Sequence, residues 1–310
     1  MIALEEIRRA REVLAGKVLR TPLVRLDEGP YLKLENLQPI GSFKLRGALN
    51  AIGNASPEEL EAGVVTASAG NMGQGVAWAA RELGLPCSVV VPENAPEAKL
   101  SAIERLGGRI VKVPYERWWQ TLTDSGFPEL DGFFVHPVQD ERVMAGNGTI
   151  GLELLEDVPE PDVVLVPFGG GGLSSGIASA VKALRPETKV YAVEPETGAP
   201  LTAAFAAGEP TPIDFQASFV DGAGGPAVLP GMWPLVREVL DGAFAISLEE
   251  TAEAIRVLAR RARVVAEGAG ALALAAALAG RVEGGTVVCI VSGGNIDAAK
   301  LATILGGGMP

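Results

Sequence analysis

Four stretches of this chain gather residue types that bind anions and move protons. The first, PFGGGGLSSG from Pro167 to Gly176, follows the apolar run DVVLV and opens an Ala-rich segment. Four consecutive glycines, Gly169, Gly170, Gly171 and Gly172, let the backbone come close to an anion. The start of the following helix adds free N–H groups and the positive end of its dipole. A phosphate suits that arrangement. No Lys stands where a Walker loop requires one, and the spacing G-x-G-x-x-G fails at Ser174, so a nucleotide is the weaker candidate. The plain alternative is a tight turn, which needs one or two glycines rather than four.

The second stretch is NLQPIGSFKLRGALN, Asn36 to Asn50, where Lys44 falls just after a helix start that Ser42 is expected to cap. A lysine in the first helical turn faces the dipole's positive end, which lowers its ammonium pKa and leaves more free amine for imine formation. Most lysines are simply solvated, and Phe43 taken alone reads as core. The third is TASAGNMGQG, Thr66 to Gly75. Ser68, Gly70 and Asn71 bring a hydroxyl, backbone N–H groups and an amide to one helix N-terminus, a receptor for a substrate carboxylate or merely a capped helix start. In the fourth, IVSGGNID from Ile290 to Asp297, Ser292 ends the last apolar strand and could equally be a turn residue.

Between these loops, short Val/Ile-rich runs alternate with longer Ala/Leu/Arg segments: GVVTASAG, GVAWAARELG, CSVVVP and EAKLSAIERLGG in the first half, DVVLVPFGGGG, KVYAVEP and GTVVCIVSGGN in the second. That alternation predicts parallel βαβ units in two α/β sheets, which place ligands at the carboxyl ends of their strands. The length of 310 residues suits two domains at ~150 residues each. Trp118 to Asp140 is less periodic and is read as a crossover, and the Gly/Pro-rich Thr197 to Pro234 as a long surface excursion.

Composition narrows the partners. The formal net charge of −12 repels nucleic-acid phosphates and anionic membrane surfaces, so neither is expected to bind. The apolar stretch Ala269 to Ala279 falls short of the ~20 residues that cross a bilayer and reads as a buried helix. MIALEEIRRARE at the start shows no secretory pattern, so a cytoplasmic setting is expected, with Cys87 and Cys289 as reduced core thiols.

Together the four loops resemble the fold-type II pyridoxal phosphate enzymes, specifically their threonine/serine dehydratase and serine racemase branch. The likeness spans nearly the whole chain: RTPL at Arg20, LKLENLQPIGSFKLRGA, SAGN, FVHP, GTIGLE, GGGGL, AVEPE and VSGGN. Leu45 follows the lysine where relatives similar to cysteine synthase carry Asp. The resemblance implies two open parallel-sheet α/β domains of the tryptophan synthase β-like kind, a large cofactor-binding domain from 1–55 and 140–310 and a small one from 56–139. It implies that Lys44 carries pyridoxal 5'-phosphate as a Schiff base and serves as general base. Phe43 then packs on the ring, Asn71 bonds its 3-hydroxyl, Gly169 to Gly172 and Leu173 hold its phosphate, Glu267 stands near it, and Ser292 faces the ring nitrogen. A hydroxyl there, unlike Asp, does not hold the ring protonated, which favours prompt loss of a β-leaving group over a long-lived carbanion. Ser68, Ala69, Gly70 and Asn71 are the implied substrate-binding residues.

The implied reaction is β-elimination and deamination of a small hydroxy amino acid: L-threonine to 2-oxobutyrate, or L-serine to pyruvate, with ammonia. Racemases of the branch carry Ser where this chain has Ala69, which tells against the alternative of a serine racemase; a 3-hydroxyaspartate dehydratase and an inactive cofactor-binding protein are the others. Met72 replaces the family's His and is expected to make the pocket less polar. Glu194 and the Gly198 carbonyl match a cation site of racemase-like members, but Pro200 replaces the third ligand; a weak divalent or monovalent cation site, or an ordinary helix-cap or ion-pair residue, are the two readings of Glu194. Glu267 could likewise be a helix N-terminal acid. His136, the only histidine, is read as structural and Trp118 and Trp119 as packing. A homo-oligomer, dimer or tetramer, is expected from the family. With the chain ending at Pro310, feedback through a C-terminal amino-acid-sensing domain is not expected.

Overall fold

A computed structural model describes all 310 residues. The strands are β1 Leu23–Arg25, β2 Tyr31–Leu34, β3 Val64–Ala67, β4 Cys87–Pro92, β5 Arg109–Val113, β6 Phe133–Phe134, β7 Val163–Pro167, β8 Lys189–Pro195, β9 Gly242–Ile246 and β10 Val287–Val291. The helices are α1 Leu4–Leu14, α2 Lys44–Gly53, α3 Pro57–Leu60, α4 Asn71–Glu82, α5 Glu97–Arg105, α6 Tyr115–Thr123 and α7 Glu141–Asp157, then α8 Gly172–Leu184, α9 Pro200–Ala207, α10 Trp233–Val239, α11 Leu248–Val257, α12 Gly268–Leu278 and α13 Ala298–Leu305.

The strands form two sheets, a six-stranded one ordered β1-β2-β10-β7-β8-β9 and a four-stranded one ordered β5-β4-β3-β6. All neighbours pair in parallel except the edge strand β1, which runs antiparallel to β2. The apolar runs explain this. VVLV and VVTA are buried at every position, as strands covered by helices on both faces must be. Alternate residues feed opposite cores: Val164 and Val166 pack with α7 and α8, whereas Val163 and Leu165 pack with α11 and α12. α12 is buried along its length, as its Ala/Leu composition predicts.

The strands of the smaller sheet all lie between Val64 and Phe134, and those of the larger sheet lie on either side in sequence. On that ground we propose the domain limits 56 and 139. Helix α2 is shared: Leu45, Leu49 and Ile52 join the core of the four-stranded sheet, while its other side meets α7. Gly146 makes that second contact close, since a Cβ there would stand 2.5 Å from the Arg46 carbonyl oxygen. The stretch expected to be a loose crossover contains α6 and β6, and the expected surface excursion contains α9 before an irregular run to Met232. Trp118, on α6, packs against the core between that helix and the four-stranded sheet as expected, but Trp119 is exposed.

Candidate active site

The strands β3, β7 and β10 end in the SAGN, glycine and VSGGN loops; the first turn of α2, with Lys44, meets α4 at Gly75, the VSGGN loop through Phe43 and Ser292, and the glycine loop by way of Pro137 and Val138. The helix start is not capped by Ser42: Phe43 is the N-cap residue, no side chain caps it, and the buried Ser42 hydroxyl has no partner. Ser42 is drawn instead into a bridge with Gly293, and the Phe43 N–H donates to the Ser292 carbonyl at 3.0 Å. The turn is thus fastened to the end of β10 by backbone. Lys44 Nζ lies 3.4 Å from the Pro137 carbonyl oxygen and 5.1 Å from the centroid of the Phe43 ring. Burial lowers the Lys44 pKa to about 8, with the Glu267 charge offsetting part of the effect.

Beyond β7 the chain turns through Gly171 at φ 100°, a conformation costly for any residue with a Cβ, and enters α8 at Gly172. The five backbone N–H groups from Gly169 to Leu173 find no acceptor within the chain, so they are free for an anion. The loop is packed from below by the segment that meets Lys44: a Cβ on Gly170 would stand 2.5 Å from Val138 Cγ2, and one on Gly172 would stand 3.1 Å from the Val138 carbonyl oxygen.

A chain of amides ties the third and fourth loops together. Asn295 Nδ2 donates to Asn71 Oδ1 and to the Ile40 carbonyl, both at 2.8 Å, and Asn71 Nδ2 donates to Glu267 Oε1 at 2.7 Å. Glu267 is the N-cap residue of α12, yet its side chain makes no cap bond; it reaches into the site. Burial raises its pKa to about 7, the Asp221 charge adds to this, and the Asn71 bond opposes it. A Cβ on Gly293 would fall 2.3 Å from Glu267 Oε1, so a larger residue there would push that carboxylate off its bond with Asn71. The Ser68 hydroxyl accepts from the Gly70 N–H at 3.2 Å, and Ser292 is buried.

A cleft of about 450 Å³ opens between the two sheets' loops, lined by Gly70, Asn71, Glu267 and Asn295 and by Lys99 of α5, which pairs with Asp221. Sequence reasoning missed this pair and Asn295 as a contributor; VSGGN carried a local signal for Asn295, and nothing local marked the pair. Met72, which stands where the family carries His, is buried in the core of the four-stranded sheet.

Two residues from Lys44, Arg46 runs into a buried charge network that no motif announced. Its guanidinium donates to Glu35 twice at 2.8 Å and to Glu153 at 2.6 and 2.9 Å, and Lys33 Nζ donates to Glu153 at 2.6 Å. Burial works against the Glu35 charge, but Arg46 and the Thr21 hydroxyl prevail and hold its pKa below the ordinary range. This network fixes α2, and so Lys44, against α7 and β2.

Of the two readings of Glu194, the geometry carries the helix cap. Its oxygens accept from the backbone N–H groups of Leu201 and Thr202 and from the Thr202 hydroxyl, all at the start of α9. The Gly198 carbonyl accepts from the Gly225 N–H, and no group of three or more His, Cys, Asp or Glu side chains is placed to hold a metal ion.

These residues fit pyridoxal phosphate: unpartnered N–H donors for its phosphate, a lysine amine of lowered pKa for its carbonyl, and a buried serine at the end of β10 for its ring. Residues 14–293 match the model of a family described as pyridoxal-phosphate dependent enzymes. An L-threonine ammonia-lyase of Thermotoga maritima is 41% identical over 100% of this chain and 79% of its own length. Among solved structures, maize serine racemase superposes with a TM-score of 0.91 at 33% identity, covering 97% of this chain and 96% of its own. A T.th. threonine deaminase superposes with a TM-score of 0.88 at 36% identity, covering 95% of this chain and 99% of its own. The free donors of the glycine loop, the low-pKa lysine beside them and the family match over nine-tenths of the sequence agree: this chain belongs to the pyridoxal-phosphate dependent enzymes.

Proposed function

We propose that the chain is an L-threonine and L-serine ammonia-lyase, converting L-threonine to 2-oxobutyrate and ammonia and L-serine to pyruvate and ammonia. The observation that carries the reading is Lys44, an amine brought to a pKa of about 8 beside five unpartnered N–H groups. Similarity over the whole chain to an L-threonine ammonia-lyase selects the reaction. Bound pyridoxal phosphate supplies an electron sink that acidifies the α-hydrogen of an amino acid.

The protein's part is placement and proton transfer. Phe43 would pack on the ring, Gly169 to Leu173 would hold the phosphate, and Ser292 would offer a hydroxyl rather than a carboxylate to the ring. Lys44 in its neutral form takes the proton from Cα, for which a pKa near the working pH is the efficient choice. The N-terminus of α4, with Ser68, Gly70 and Asn71, receives the substrate carboxylate. The hydroxyl at Cβ departs with a proton as water, and the water regained on hydrolysis of the product releases ammonia, so the net change is loss of ammonia alone.

Serine racemase is the second reading, favoured by the superposition on the maize enzyme. Ala69 argues against it, because a methyl group relays no proton to the opposite face of Cα. Incubating the cofactor-loaded protein with L-serine separates them: pyruvate released faster than D-serine supports the lyase, and D-serine formed faster than pyruvate overturns it. A dimer or tetramer and a cytosolic setting belong to the same proposal. We assign no cation to Glu194. No helix is long and apolar enough to cross a membrane.

A further inference from the structure

The segment that connects the smaller sheet back to the larger one touches both halves of the site. From β6 it runs through His136, Pro137 and Val138 to the start of α7 at Glu141. Pro137 presents the carbonyl that Lys44 Nζ meets, and Val138 lies under Gly170 and Gly172. What holds this segment is the chain's only histidine. The His136 ring is buried, and Nδ1 accepts two backbone N–H bonds, from Val138 at 3.0 Å and from Gln139 at 2.8 Å. Nε2 lies 3.2 Å from the Leu122 carbonyl oxygen. The partners fix the tautomer: two N–H groups only donate and a carbonyl only accepts, so Nδ1 is bare and Nε2 carries the proton. Burial lowers the pKa of the ring, in keeping with a neutral imidazole.

We propose that His136 is a positioning residue for cofactor capture: by accepting from the two N–H groups that follow it, it sets the turn that aims the Pro137 carbonyl at Lys44 and seats Val138 beneath the glycine loop. The motif is the one by which Asn and Asp side chains hold turns, an acceptor at one residue taking N–H groups two and three residues on. A merely space-filling aromatic would need no acceptor on that side of the ring. The role rests on reading Lys44 and Gly169 to Leu173 as cofactor residues, but not on which amino acid the enzyme consumes.

The test compares His136→Asn with His136→Leu. Both lose the ring, its edge contact with Phe134 and the bond to Leu122. Only asparagine can restore an acceptor to the turn. The readouts are the Kd of the apoprotein for pyridoxal phosphate, from its absorption band, and the thermal midpoint of each apoprotein. Leaving buried donors unpaired costs about 1 to 3 kcal/mol, so the leucine variant is expected to bind the cofactor about tenfold or more weakly, and the asparagine variant within about threefold of wild type. Should the leucine variant not fold, His136→Gln replaces it, since its longer side chain does not form the same turn; the same loss is expected. Asparagine binding as weakly as leucine or glutamine, or all variants binding like wild type, overturns the proposal. Failure to consume threonine with cofactor binding intact would count against the lyase reading and leave this one standing.

Discussion

Lys44 gives the sharpest quantitative test. An amine with a pKa of about 8 is half neutral at pH 8. At an ordinary lysine pKa only about 1 molecule in 300 would be neutral at that pH, so burial raises the reactive fraction by roughly two orders of magnitude. The assay is the rate at which apoprotein captures pyridoxal phosphate, followed by absorption between about pH 6.5 and 10.5. Burial disfavours the ammonium form, so the rate should rise through a midpoint near 8. Glu267→Gln supplies the perturbation. Glutamine Oε1 can still accept from Asn71, so the hydrogen bond survives while the charge is lost. The Glu267 charge raises the Lys44 pKa, and its removal must therefore move the midpoint below that of wild type. Because Glu267 itself titrates near 7, wild type and variant should differ most above that pH and converge below it. A wild-type midpoint above about 9.5, near that of a solvated lysine, or an upward shift in the variant would refute the electrostatic account of the site.

Three further outcomes are expected. Arg46→Met strips six hydrogen bonds from the guanidinium and leaves Glu35 and Glu153 buried without it; urea unfolding should show a loss of about 3 to 5 kcal/mol, and a loss under about 1 kcal/mol would contradict the network's role. Lys99→Met removes a pair that is 35% and 43% exposed, so stability should change by no more than about 1 kcal/mol. The KM for L-threonine should nevertheless rise at nearly constant kcat, because both residues line the cleft; an unchanged KM would remove the pair from substrate binding. Ala69→Ser should bring out D-serine formation from L-serine, detected by chiral chromatography, and its absence would show that a hydroxyl at this position does not suffice as the second proton carrier.

The sequence exposed what is written locally. Val/Ile runs such as VVLV announce buried parallel strands, and four adjacent glycines announce a close approach, because both depend on neighbours in the chain. Lys44 was legible through its motif and its place in a first helical turn. Partnerships across long separations were hidden: Arg46 with Glu153 and Glu35, Asn295 with Asn71, and Lys99 with Asp221 become visible only when the strands are ordered. The error at Ser42 has the same origin. A Ser ahead of a helix predicts a cap, but pairing with Gly293 of β10's loop claims that residue first. Met72 was marked only by the resemblance, and that α4 packs it into the core of the four-stranded sheet is a fact of the folded chain. Glu194 was split between cap and ligand, and the N–H groups that it accepts lie at the start of α9, which follows it by only a few residues.

The central claim is that Lys44 carries an ammonia-lyase reaction on L-threonine. Wild type and Lys44→Ala, each incubated with pyridoxal phosphate, should be assayed side by side for 2-oxobutyrate and ammonia. Equimolar release of both products by wild type and none by the variant is the predicted result. Release that persists in the variant, or a cofactor-loaded wild type that forms no keto acid from L-threonine, would contradict the account.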